Sequence, residues 1–321
     1  MYRSERGFRH SVATSGATPL VAAGWLVAVR MYAYGVSDVE AWIGTGVLLA
    51  TAYVMMYIVN RFTLIRVRSR LSTSVFLFLT AMCTFLPPLD TAMYTGGLLL
   101  LSYLALFLSY QSPRAEGCVF HAFAMLAVAA VFHPLVLIMV PVYYISLIVH
   151  FRSFSTRAFL AGLIGLSVPM WFMLAYHIWQ GRLDEWWESI TSIGLPALPD
   201  YSALTVGEAA TCAFVLLLGL TALVHMLRTA YNDKVQTRMT FYFLCVQEAV
   251  LMLALALQPH DAHVWLRLLI INSAPLVGHY FALGRGLVVG AWFYIVLALI
   301  AAGTAFNLWI PSYSSLSITA I

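Results

Sequence analysis

The side chains with most chemistry to offer are ionisable groups set inside or beside long apolar runs. Glu248 stands near the middle of the run 239–258. A carboxylate at that depth must face protein or water rather than hydrocarbon. It either ties helices together by hydrogen bonds, with Gln247 or Asn272 as partner, or serves as a proton or cation site. Arg30 and Arg267 lie within a turn or two of the ends of their runs. From there a long guanidinium side chain can snorkel to the interface or pair with a nearby acid. Alternatively, two such groups at similar depth can hold a phosphate, for which the planar fork is well suited. Asp38 and Glu40, Asp90, His133, Asp261 and His263 fall at chain turns on the same side. Each alone is an interfacial loop residue. Together with Arg30 and Arg267 they form a one-sided collection of polar, potentially catalytic groups able to bind a substrate. His260, Asp261 and His263 are ligand types that suit Zn²⁺ or Mn²⁺, but their spacing matches no metal motif. No cofactor is expected, with a divalent metal at these three residues as the alternative.

These residues are positioned by a chain that is 62% hydrophobic and only 9% charged over 321 residues. Soluble domains carry about 25% charged residues, so a lipid-embedded all-α bundle is expected, as one domain over 1–321. A spanning helix needs about 20 apolar residues. The runs 18–35, 40–60, 71–87, 91–110, 117–132, 134–150, 158–179, 207–227, 239–258, 264–282 and 287–310 are the expected spans, eleven in all. The break between the fifth and sixth is placed at His133–Pro134, because proline interrupts a helix. The basic start with Arg3, Arg6 and Arg9 is followed by a polar stretch and no small-x-small cleavage site, so the first run is expected to stay as a span. The four cysteines, Cys83, Cys118, Cys212 and Cys245, lie in or beside apolar runs and read as packing residues. No phosphate-binding loop, dinucleotide-binding turn, zincin motif or serine-nucleophile elbow is present. No Lys/Arg run suggests nucleic acid as a partner; the bilayer is the expected one.

Charge orients the bundle. With the N-terminus inside, alternation through eleven spans puts Arg3, Arg6, Arg9, Arg61, Arg66, Arg68, Arg70, Arg114, Arg152, Arg157, Arg228, Lys234, Arg238 and Arg285 in cytoplasmic segments. Only Arg182 falls outside, with Arg30 and Arg267 inside spans. This is the positive-inside pattern. Most acids sort the other way, and a single span over 117–150 would destroy both trends. The expected topology is therefore N-terminus in, C-terminus out. Residues 182–193 place Leu183, Trp186, Trp187, Ile190 and Ile193 on one helical face, the pattern of an amphipathic helix along the outer interface.

The arginine-flanked spans, the Asp38-x-Glu40 pair in the first outer loop, and the stretch from His133-Pro134 and Pro141 through Arg152 and Arg157 to Pro169 resemble the membrane region of GT-C type glycosyltransferases and small bacterial membrane families of that style. The resemblance covers about the first half of the chain. It implies a polyprenyl-phosphate-linked sugar as donor, an acidic residue of the first external loop, Asp38 or Glu40, as catalytic base, and a place in a bacterial inner membrane. A transporter or lipid flippase using Glu248 is the alternative, and a non-catalytic subunit of an envelope complex is a third.

Overall fold

In hydrocarbon every backbone N–H and C=O must be satisfied within the chain, which restricts a lipid-embedded sequence of this kind to helices. The computed structural model describes residues 8–67, 69–184, 187, 199–202 and 204–309, and among these it contains helices and no β-strand. The helices are α1 (Phe8–Thr14), α2 (Thr18–Tyr34), α3 (Val39–Arg61), α4 (Leu71–Met82), α5 (Thr91–Leu108), α6 (Glu116–Phe132), α7 (Met139–Val149), α8 (Thr156–Gln180), α9 (Val206–Thr229), α10 (Val235–Leu257), α11 (Ala262–Leu283) and α12 (Leu287–Trp309). Seven of the described helices are long and apolar enough to cross a membrane, or up to eight if the bent pair α1–α2, with its 88° break, counts as one span. The chain is thus a helical membrane protein. Helices α4, α6 and α7, at three of the expected spans, are shorter. The expected interfacial helix at 182–193 lies for most of its length outside the described residues.

The chain divides into two compact units, one comprising Met1–Asp90 with Pro199–Ile321 and the other Thr91–Leu198. In the first, α11 and α4 form the centre. Helix α11 is buried almost throughout, from Ala262 to Phe281, and α4 from Leu71 to Met82. Helix α4 packs on α2, α3, α11 and α12, and α11 also on α9 and α10. Close approach is bought by small residues: a Cβ on Gly278 of α11 would meet Ser72 Oγ of α4 at 2.3 Å.

In the second unit α6 is central, packed on α5 and α8. Glycines again set the spacing, since a Cβ on Gly165 of α8 would lie 2.5 Å from Phe120 O of α6. The buried Ser102 hydroxyl of α5 donates to Ala122 O of α6 at 2.7 Å and lies 3.0 Å from the Tyr143 hydroxyl of α7. At His133–Pro134 the chain does break: a 3₁₀ turn, Pro134–Ile138, leads into α7. Phe151 then accepts from Gln111 N at 2.9 Å, so the chain beyond α7 returns to the end where α5 finished.

Candidate functional site

Helix α4 is the shortest of the first unit's buried helices, and its early end creates the site. The expected span 71–87 is helical only to Met82; Cys83 to Asp90 runs as irregular backbone. Pro87 and Pro88 cannot donate a backbone hydrogen bond and cannot continue the helix. The carbonyls of this turn therefore need donors from elsewhere. Side chains provide them. The Tyr34 hydroxyl reaches Thr84 O at 2.9 Å and Leu86 O at 2.5 Å. Arg267 Nη2 donates to Pro87 O at 3.0 Å, and Arg30 Nη2 donates to Pro88 O at 2.5 Å.

Arg30 and Arg267, drawn from helices that begin far apart in sequence, thus converge on two consecutive carbonyls. Both are buried, at 4% and 7% exposure. Arg30 Nε also donates to Thr45 Oγ1 of α3 at 2.9 Å, and its guanidinium lies 5.2 Å from the centre of the Tyr34 ring, a cation–π contact. Arg267 Nη2 donates further to Asp90 Oδ2 at 3.0 Å, while its Nε is buried with no hydrogen-bond partner among the described residues. Gly44 lets α3 come this close. A Cβ there would sit 1.9 Å from Pro88 O and 2.9 Å from Arg30 Nη2.

The other expected site residues are distributed as follows. Asp38 is the N-cap of α3, its Oδ1 accepting from Glu40 N at 2.9 Å; Asp38 and Glu40 are both at the surface end of that helix. Asp38, Asp90, Arg30 and Arg267 all belong to the same end of the first unit. His263 lies there too: its ring is 6.0 Å from that of Phe85, and its Nε2 is 3.0 Å from Glu208 Oε1. Asp261 closes the 3₁₀ turn Pro259–Asp261 ahead of α11, half-buried. Among the described residues no three His, Cys, Asp or Glu side chains group closely enough to hold a metal ion. His133, in the second unit, pairs its Nε2 with Thr91 Oγ1 at 2.9 Å.

Glu248 is elsewhere, fully buried where α9, α10 and α11 meet. Asn272 Nδ2 donates to its Oε2 at 2.7 Å and Ser273 Oγ to its Oε1 at 2.5 Å. The expected partner Asn272 is therefore present, and it also donates to Leu244 O at 3.0 Å.

Sequence reasoning missed several participants. Tyr34, Thr45, Gly44 and the proline carbonyls are invisible until α4 is known to unwind. Glu208 both completes a capping box with Thr205 and holds His263. At the arginine-rich end of the first unit, Asp233 bridges Arg66 Nε at 2.9 Å and His279 Nε2 at 3.0 Å. An isolated histidine in the apolar run 264–282 was the available signal for that pair. Compared with known proteins, the chain matches no protein-family profile, no curated protein and no solved structure.

Proposed function

We propose that this chain is an eleven-pass protein of a bacterial inner membrane, N-terminus in the cytoplasm, that binds the phosphate of a polyprenyl-phosphate-linked sugar at its external face. One observation carries the reading: two buried guanidiniums from α2 and α11 converge on the Pro87–Asp90 turn. An arginine near the bilayer centre costs about 2.5–3.5 kcal/mol on insertion scales, and less toward the interface. Two of them at one turn, with the buried Arg267 Nε left over after the carbonyls are served, supply donors for a planar-fork contact to an oxyanion. The carboxylates Asp38 and Glu40, nearer the surface of the same end, are then the general-base candidates for glycosyl transfer. Asp38 retains a carboxylate oxygen beyond the one that caps α3.

The test is binding of a short-chain polyprenyl phosphate to the purified protein in detergent, followed by tryptophan fluorescence. Arg267→Lys keeps the charge and removes the fork, and is expected to weaken binding about tenfold, the equivalent of about 1.4 kcal/mol. Asp38→Asn and Glu40→Gln should bind normally and lose transfer. Unchanged affinity in Arg267→Lys and in Arg30→Lys would remove the phosphate site. Unchanged transfer in both acid variants would leave binding without the chemistry. A second reading, a secondary transporter or flippase, has its own support in the Glu248 cluster.

A further inference from the structure

Helices α9, α10 and α11 carry two polar layers. The first holds Gly219, Glu248, Asn272 and Ser273; the second holds His225 and His279, with Phe241 against the His279 ring at 4.8 Å between centroids. The step from Phe241 to Glu248 on α10 and from Asn272 to His279 on α11 is seven residues in each case. Seven residues return a side chain to nearly the same face, roughly 10 Å along the axis.

In the first layer both Glu248 oxygens accept from neutral donors, and no cationic side chain pairs with it among the described residues. The room is made by Gly219, where a Cβ would lie 2.3 Å from Glu248 Oε1. Pro275 of α11 has no N–H, so Ile271 O lacks its usual helical donor and adds an acceptor beside Asn272 and Ser273. When Glu248 is neutral its carboxyl hydrogen can be donated to Ser273 Oγ, the hydroxyl then turning its own hydrogen away. In the second layer His279 directs Nε2 to Asp233, itself paired with Arg66, and this contact orients the ring. His279 Nδ1 and His225 Nδ1 are buried without hydrogen-bond partners among the described residues, with the two rings 6.2 Å apart.

We propose that Glu248 binds and releases a proton inside the membrane, and that the proton reaches it from the arginine-rich end by way of His279. This deepens the transporter reading by naming the coupling ion. An uncompensated carboxylate in hydrocarbon is costly, and taking up a proton removes the charge without moving a helix. The groups that bear on Glu248 are few. Gly219 faces it from α9, whose titratable residues are His225 and Arg228 toward one end and Cys212 and Glu208 toward the other. From α11 come Asn272 and Ser273, with His279 and Arg267 farther along, and on α10 itself there is Cys245.

The test is infrared difference spectroscopy of the full chain in lipid vesicles after a pH jump. A carboxyl C=O band is expected in the wild type, absent in Glu248→Gln and displaced in Glu248→Asp, which keeps the chemistry should the amide fail to fold. His279→Gln should leave the amplitude of the band and slow its appearance at least tenfold; Asp233→Asn should slow it less. A band that survives Glu248→Gln, or no band in the wild type, overturns the proton site. Unchanged kinetics in His279→Gln overturns the route. A Glu248 band together with no uptake driven by a pH gradient would uphold the proton site while removing the transporter reading.

Discussion

At the scale of single residues, the strongest constraints come from side chains that satisfy buried backbone. Tyr34 serves two carbonyls of the unwound turn, so Tyr34→Phe removes one donor and leaves two acceptors short. A buried group left unsatisfied costs about 1–3 kcal/mol, and the variant should unfold at a correspondingly lower temperature in detergent. Gly44 and Gly46 offer a sharper comparison on one helix. A Cβ at Gly44 would meet backbone at Pro88, whereas one at Gly46 would meet nothing within 4 Å. Gly44→Ala is expected to destabilise by about 1–3 kcal/mol through overpacking and to weaken any ligand held by Arg30. Gly46→Ala should stabilise by about 0.5–1 kcal/mol, because an exposed helical glycine only costs entropy. Equal melting temperatures for the two would contradict the close approach of α3 to the turn.

At the scale of elements, α9 is fastened at its start by two linked devices. Thr205 Oγ1 accepts from Glu208 N at 3.3 Å, and Glu208 Oε2 accepts from Thr205 N at 2.8 Å. The remaining Glu208 oxygen takes the His263 ring of α11. Thr205→Ala removes only the cap and should cost about 1 kcal/mol. Glu208→Ala removes the cap and the link between helices and should cost more. A double-mutant cycle of Glu208→Gln with His263→Gln is expected to return a coupling of about 0.5–3 kcal/mol; additive effects would mean that the contact contributes nothing. Helix α4 shows the other side of element design. Its 12 residues span only about 18 Å at 1.5 Å each, well short of a hydrocarbon core about 30 Å thick. The chain that follows, Cys83 to Asp90, is irregular, and irregular backbone is tolerated at hydrocarbon depth only where a protein's own groups enclose it.

At the scale of the whole molecule, the charge distribution predicts a topology that can be read without knowing a substrate. Reporter fusions after residues 70, 155 and 235 should report the cytoplasm, and a fusion at 195 the exterior. After α7 the chain returns to the end where α5 finished, Phe151 O accepting from Gln111 N. A cytoplasmic signal at 195 would overturn the alternation and every external assignment with it. Many large apolar side chains of α8, among them Trp171, Phe172 and Trp179, are exposed on the isolated chain, as lipid-facing positions should be.

By itself the sequence determined the helical, membrane-embedded class, the approximate helix positions and the break at His133–Pro134. Apolar runs and prolines act locally, and hydrocarbon leaves the backbone few alternatives. It also made the Glu248–Asn272 pairing legible, because in an apolar run so few polar partners exist. Only the tertiary structure decided that α4 stops at Met82, that Arg30 and Arg267 meet at the turn that follows, and that Asp233 binds His279. Those contacts join residues 58, 177 and 46 positions apart. Hydropathy and periodicity describe one helix at a time, whereas the partner of a buried charge is chosen by which helices pack together.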